Sequence, residues 1–145
     1  MEIARRHGIR RAFAGGGGFA APERMTLELL EQAFSVCKLS EDSPVDLSMP
    51  FCFYARTDAE ISLVCETEAA PANCLAREDG WRALRVAGQL DFSLLGILAG
   101  LTGALAAAGV SVFAVSTYDT DYLMVKQTAL ERAERALSAA GYTIA

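Results

Sequence analysis

Two carboxylates, Asp119 and Asp121, flank Thr120 in the string STYDTD. Carboxylates of this kind can receive the ammonium group of a ligand. Further upstream, Ser93 could cap a helix whose first free N–H groups would bind a carboxylate. The same residues also fit a purely structural role, since Asp119 and Thr120 are typical of a hairpin turn and Asp91 could simply end a strand.

Catalysis by histidine finds no support in the body of the chain. The only histidine is His7, which removes Cys-His and Ser-His schemes and histidine metal centres from the residues that follow the first 24. Asp119 and Asp121 could act as acid and base, but two carboxylates in a turn are a weak basis for an active site. We therefore expect that the protein is not an enzyme.

The cysteines indicate packing rather than metal binding. No Cys-x-x-Cys pair occurs among the four, which are Cys37, Cys52, Cys65 and Cys74. The first three stand in apolar, strand-like sequence, where a thiol packs as a small hydrophobic group. We expect reduced thiols, no metal site and no cofactor.

The elements that would position Ser93 and Asp119 lie in a long uncharged stretch, because no charged residue occurs between Asp91 and Asp119. Its apolar side chains fall in one arc of about 100° on a helical wheel and predict a helix over residues 92–108. Gly109 would end this helix, and alternation then predicts a strand over residues 110–117. The helix would be only about 25 Å long, short of the roughly 30 Å of a membrane's hydrocarbon core. A membrane span is therefore not expected.

The back of this predicted helix carries only small residues, which are Gly96, Ala99, Gly100, Gly103, Ala106 and Ala107. A surface helix normally has a polar back, so a second helix or subunit is expected to cover this one at close range. The alternative is that small residues are simply tolerated on an exposed face.

Charge is unevenly distributed along the chain. The whole protein has a net charge of −5, yet five arginines and only two acidic residues occur in residues 1–24. The remainder is therefore acidic, which argues against a nucleic-acid partner. The run Gly15 to Gly18 and the possible start at Met25 suggest that residues 1–24 are a flexible N-terminal extension. We expect a cytoplasmic protein without membrane association.

Short strands and one further helix account for the rest of the sequence. Thr128 and Glu131 match a capping box that would open this helix, and Gly141 would end it. The other predicted elements are a bent strand over 25–39, strands over 51–56 and 61–65 joined by the turn TDAE, a turn at Asp79-Gly80, a strand over 81–87, a turn at 118–120, and strands over 121–126 and 142–145. The second half thus has the order βαββαβ of a ferredoxin-like unit.

This order, the segment AGQLDFSLLGILAGLTGALAAAGVSVFAVSTYDTDYLMVK and above all the string STYDTD resemble the ACT domain family, and more narrowly the bacterial tandem ACT-domain proteins related to the CASTOR amino-acid sensors. The resemblance implies an α+β fold of tandem ferredoxin-like βαββαβ units, with antiparallel sheets, helices on one face and a degenerate first unit. Residues 25–80 would form that N-terminal ACT-like unit, and residues 81–145 the C-terminal ACT domain.

The resemblance also implies a regulatory function. ACT units bind small molecules, typically amino acids, at interfaces between units, which favours a homo-oligomer such as a homodimer. Carried over by position, the ligand-binding residues would be Asp91, Phe92, Ser93, Leu94, Leu95, Ser116, Thr117, Tyr118, Asp119, Thr120 and Asp121. Leu94 and Leu95 stand where arginine-sensing relatives are expected to have an acidic residue, so a smaller or apolar amino acid fits better. The alternative function is a ligand-free module for protein-protein interaction or dimerisation.

Overall fold

The computed structural model describes residues 25–87 and 96–145. In these residues the chain forms eight strands and two helices. They are β1 (Thr26–Leu29), β2 (Phe34–Leu39), β3 (Phe53–Arg56), β4 (Ile61–Glu66), β5 (Ala76–Val86), α1 (Ile97–Ala107), β6 (Val112–Ser116), β7 (Asp121–Lys126), α2 (Leu130–Ala139) and β8 (Thr143–Ile144). The predicted extension, residues 1–24, lies outside the described residues.

Strand β5 is the axis of the sheet, because it connects the N-terminal and C-terminal strands. Its first half pairs with β2, and its second half pairs with β7 on one side and β1 on the other. The predicted turn at Asp79-Gly80 is wrong, since β5 continues through it with a shift of register opposite Phe34 and Val36. Gly80 has a φ of 85°, a conformation that glycine adopts freely in bulges as well as in turns.

The first predicted strand is divided in two. Instead of one bent strand over 25–39, β1 and β2 are separate and pair with different parts of β5. Strand β1 lies between β5 and β8, antiparallel to the first and parallel to the second, with Leu27 opposite both Val86 and Ile144. The N-terminal segment therefore contributes a strand to the sheet that carries the helices.

Both helices pack against one face of this sheet. Leu101 and Leu105 of α1 are buried in an apolar cluster that also contains Leu130 and Leu137 of α2 and residues of β1, β5 and β7. The α+β class, the mainly antiparallel sheet and the helices on one face are confirmed. Within the described residues, neither helix is both long enough and apolar enough to cross a bilayer.

Helix α1 is bounded by two glycines with positive φ. Gly96 has a φ of 69°, so α1 begins at Ile97, and the earlier part of the predicted helix lies outside the described residues. Gly109, with a φ of 72°, follows the helix and ends it as predicted. Most small residues on the back of α1 are exposed in the described part of the chain, so that part does not supply the expected cover.

Helix α2 has the predicted apolar face but a different start. A short 3-10 turn over Gln127–Ala129 leads into it, and Ala129 is the N-cap residue, without any hydrogen bond from a capping side chain. The predicted capping box between Thr128 and Glu131 is therefore wrong. Gly141, with a φ of 101°, ends the helix as predicted.

Two further apolar clusters lie on opposite faces of the N-terminal strands. Strand β2 alternates, so Phe34 and Val36 face one cluster while Cys37 and Leu39 face the other. The second cluster is covered by the loops after β2 and β4 rather than by helices. We call its four thiols the cysteine cluster, in which Cys37 and Cys65 are buried and Cys52 and Cys74 pack against them. The prediction that Cys37, Cys52 and Cys65 pack as small hydrophobic groups is confirmed, and Cys74, for which no such prediction was made, packs with them.

Candidate functional site

The β6–β7 hairpin holds the polar string STYDTD in a tight turn. The Thr117 N–H donates to the Thr120 carbonyl at 2.8 Å, and the Thr117 hydroxyl donates to the same carbonyl at 3.1 Å. Below the turn, Ser116 and Asp121 are the last paired residues, and the Ser116 hydroxyl donates to Asp121 Oδ1 at 2.6 Å. The predicted turn at 118–120 is confirmed.

Thr120 attaches this hairpin to the end of β5. Its hydroxyl donates to the Val86 carbonyl at 2.8 Å, and both residues are buried. Buried backbone carbonyls need a hydrogen-bond donor, and the Thr120 hydroxyl supplies one here. The turn therefore has a fixed place relative to the end of β5.

A cleft of about 410 Å³ lies between the turn and the adjacent strand ends. The hairpin turn lines one side with Thr117, Asp119 and Thr120. The other side consists of residues from β1, β5 and β7, which are Glu28, Arg85, Val86 and Tyr122. The cleft therefore presents one cationic and two anionic side chains.

Arg85 is held between two neighbours on the wall of the cleft. Its Nη2 donates to Glu28 Oε2 at 2.6 Å and its Nε to the same oxygen at 3.3 Å, while its guanidinium carbon lies 5.9 Å from the centre of the Tyr122 ring. The hydrogen bond with Glu28, and then that with Tyr122, raises the pKa of Arg85. Arg85 is therefore a permanent cation beside the cleft.

Asp119 is the opposite pole of the cleft. Its side chain is exposed at the turn, and among residues 25–87 and 96–145 it forms no hydrogen bond or ion pair. A carboxylate without an internal partner can receive a cationic group from solution. The arrangement therefore offers a cation at Arg85 and an uncommitted anion at Asp119.

The predicted ligand-binding residues fall into three groups. Thr117, Asp119 and Thr120 line the cleft, whereas Ser116 and Asp121 lie beneath the turn and bond to each other. Tyr118 is on the outside of the turn, with 73% of the residue exposed. The predicted residues at the helix start lie outside the described residues, namely Asp91, Phe92, Ser93, Leu94 and Leu95.

Four residues of the cleft are not among those predicted from the sequence, namely Glu28, Arg85, Val86 and Tyr122. Arg85 could have been found from the sequence, because it shares a strand face with Trp81 and Ala83 and is the charged residue in an otherwise apolar alternation. Glu28 gives no such signal, because its role depends on the pairing of β1 with β5, which places it opposite Arg85. Within the described residues, no group of three or more His, Cys, Asp or Glu side chains is arranged to hold a metal ion.

Comparison with curated proteins gives relatives that are longer than this chain. The cytosolic arginine sensor for mTORC1 subunit 1 from Rattus norvegicus is 31% identical over 109 residues, which cover 70% of this chain and 33% of that protein. The protein of the same name from Homo sapiens is 32% identical over 95 residues, or 61% of this chain and 29% of that protein. The chain thus spans about a third of the length of these relatives.

Among solved structures, protein Atu0741 from Agobacterium tumefaciens is similar over most of both chains. It is 29% identical, with a TM-score of 0.76, and the match covers 86% of this chain and 94% of that one. The regulatory subunit of aspartate kinase from Thermus thermophilus is only 10% identical, with a TM-score of 0.55 over 79% of this chain and 95% of that one. The second likeness concerns the fold alone.

The family comparison agrees with the fold and with the resemblance seen in the sequence. Residues 76–139 match the ACT domain, a segment that includes β5, both helices and the β6–β7 hairpin. The predicted relation to the CASTOR sensors is confirmed by the curated relatives, and the ferredoxin-like α+β fold by the solved structures. Over residues 76–139, slightly under half of its length, the chain is similar to the ACT domain family.

Proposed function

We propose that this protein is a regulatory module that binds an amino acid in the cleft beside the β6–β7 hairpin. ACT domains are regulatory modules for small ligands, and the named function of the mammalian relatives is that of an arginine sensor. The observation that carries the proposal is the pair of opposite charges, Arg85 and Asp119, on one cleft of about 410 Å³. The cytosolic relatives favour a cytoplasmic location, and we propose no catalytic activity.

The charges of the cleft suit the two ends of an α-amino acid. The uncommitted carboxylate of Asp119 would receive the ammonium group, and the guanidinium of Arg85 would attract the carboxylate. A second ACT unit of a homodimer could close the cleft from outside. Because Leu94 and Leu95 replace the acidic residue expected of arginine sensors, a smaller or apolar amino acid is our preferred ligand.

Thermal unfolding in the presence of each of the twenty amino acids tests this proposal. A ligand at 100 times its Kd should stabilise the fold by about 2.7 kcal/mol and raise the Tm visibly. Asp119→Asn should abolish that rise, whereas Asp58→Asn, which alters an exposed carboxylate in the β3–β4 turn, should preserve it. If no amino acid at millimolar concentration shifts the Tm of the wild-type protein, amino-acid binding is wrong.

A second candidate function is a ligand-free interaction or dimerisation module. The observation in its favour is the back of α1, whose small residues are mostly exposed in the described chain and allow close approach of another helix. Light scattering at high protein concentration would measure the assembly, and Ala106→Glu on this face should dissociate it. Ala139→Glu, at an exposed position of α2, is the matched control. A strict monomer would contradict this function and the homo-oligomer as well.

A further inference from the structure

We infer that Glu28 is a built-in competitor for the ligand carboxylate at Arg85. The inference rests on the proposed function for the identity of the ligand, but it concerns a contact that the chain makes with itself. Glu28 belongs to β1, outside the segment that matches the ACT domain, and it lines the same cleft as Arg85 and Asp119. The N-terminal strand thereby determines which charges a ligand must bring.

The geometry shows that Glu28 fills a donor edge of Arg85. Two nitrogens of the guanidinium, Nη2 and Nε, donate to the same oxygen, Glu28 Oε2. These are donors that a bound carboxylate takes in a forked contact with arginine. The β1–β5 register places Glu28 directly opposite Arg85, so the contact is a consequence of strand pairing rather than of a flexible loop.

The contact is also weak enough to exchange. About a third of each side chain is exposed, 31% for Arg85 and 39% for Glu28. Exposed pairs of this type contribute little to stability, because water screens them and both side chains lose freedom. An incoming carboxylate can therefore displace Glu28 at small cost, and the Arg85 guanidinium keeps an anionic partner throughout.

The presence of Glu28 changes the selectivity of the cleft. Glu28 and Asp119 are both negative, and only Arg85 is positive. The two carboxylates therefore repel a simple anion, and the one guanidinium that it could bind already contacts Glu28. A zwitterion also carries an ammonium group, which binds Asp119 and so compensates for the displacement of Glu28 from Arg85. Glu28 thus favours the binding of amino acids over that of simple carboxylates. This selectivity explains why an acidic side chain lies beside Arg85, the residue proposed to bind the ligand carboxylate.

Calorimetric titration of the wild-type, Glu28→Gln and Arg85→Gln proteins tests the inference. The probes are alanine and sodium propionate, which differ only in the ammonium group, at constant ionic strength set with sodium chloride. Glu28→Gln should tighten binding of both probes by about three- to fivefold, with the larger gain for propionate, because it removes the competing carboxylate. Arg85→Gln should weaken both by roughly tenfold or more.

Controls separate a competitor from a residue that only positions Arg85. Glu31→Gln, an exposed substitution just after β1, should leave both affinities unchanged. Unchanged, weaker or undetectable binding in Glu28→Gln, with the variant folded by circular dichroism, would overturn the inference and leave the thermal screen of the proposed function unaffected. Propionate binding that appears only in Glu28→Gln, together with no thermal response to any amino acid, would support the competitor and refute the proposed ligand.

Discussion

At the scale of single residues, Cys37 shows how burial changes the chemistry of a side chain. Only 1% of Cys37 is exposed, and burial, followed by the neighbouring Cys74 thiol, raises its pKa from 9.0 to about 12. Burial also raises the pKa of Cys65 and Cys52. These three side chains therefore stay in the thiol form across the neutral range, as expected of packing groups rather than of nucleophiles.

The shift at Cys37 predicts a loss of stability at alkaline pH. Between pH 9.0 and about 12 an unfolded chain releases the Cys37 proton while the folded chain retains it, so the free energy of unfolding falls as the pH rises. Below pH 9.0 this contribution is constant. Urea unfolding on either side of pH 9.0 measures the effect, and Cys37→Ala should make the fall shallower.

The matched control for this pH dependence is Ile61→Val. Ile61 is buried in the same apolar cluster as Cys37, and the substitution shortens its side chain without removing a titrating group. It should lower the free energy of unfolding by about 0.5–1.5 kcal/mol at every pH and leave the alkaline fall unchanged. Identical pH dependence in the wild-type and Cys37→Ala proteins would contradict the assignment of the effect to Cys37.

Residue types alone indicate only the side of the cleft that the hairpin turn supplies, which is three of its seven lining residues. Thr117, Asp119 and Thr120 are predictable because turn chemistry is local and a short string carries it. Arg85 and Glu28 are not, because their contact depends on the pairing of two strands that are far apart in the sequence. The sequence therefore points to the side of the site that one hairpin supplies, and not to the side that strand pairing supplies.

At the scale of elements, two glycines offer a matched test of backbone conformation. Gly80 lies in the bulge of β5 with a φ of 85° and Gly103 lies within α1, and an added Cβ would meet nothing within 4 Å at either position. Gly80→Ala should cost about 1–2 kcal/mol because of its left-handed backbone. Gly103→Ala should stabilise by about 0.5–1 kcal/mol, since alanine favours helices.

Denaturant unfolding of both variants measures this difference, because the added methyl group has open space at both positions and only the backbone differs. A neutral or stabilising Gly80→Ala would mean that the bulge does not require a positive φ. A destabilising Gly103→Ala would mean that the exposed back of α1 is in close contact with another subunit under the conditions of the measurement.

Glycines also explain which element boundaries are predictable. Strand β7, over residues 121–126, matches the prediction because alternation and a turn bound it on local grounds. Gly96 interrupts an apolar periodicity that predicts a continuous helix, whereas Gly80, which predicts a turn, does not interrupt its strand. The two glycines therefore mislead in opposite directions. A glycine signals a special conformation, but only the surrounding sheet decides whether the chain turns there.

At the scale of the whole molecule, β1 connects the two predicted units. Our proposed division places residues 25–80 in a degenerate N-terminal unit and residues 81–145 in the C-terminal ACT domain. Strand β1 nevertheless lies between β5 and β8, and Leu27 is fully buried in the cluster that both helices share. The sheet beneath the helices is therefore complete only when the N-terminal strand is present.

This arrangement predicts that residues 81–145 do not fold alone, although they contain both helices. Removing β1 would expose Leu84 and Val86 and would leave β8 without the backbone bonds that it makes to the β1 segment. Residues 25–145 should instead unfold in one cooperative transition, because β5 belongs to both halves of the sheet. Circular dichroism during urea unfolding of the two fragments compares them directly. A cooperative transition of the shorter fragment, with the midpoint of the longer one, would show that β1 is dispensable and that the two units are independent.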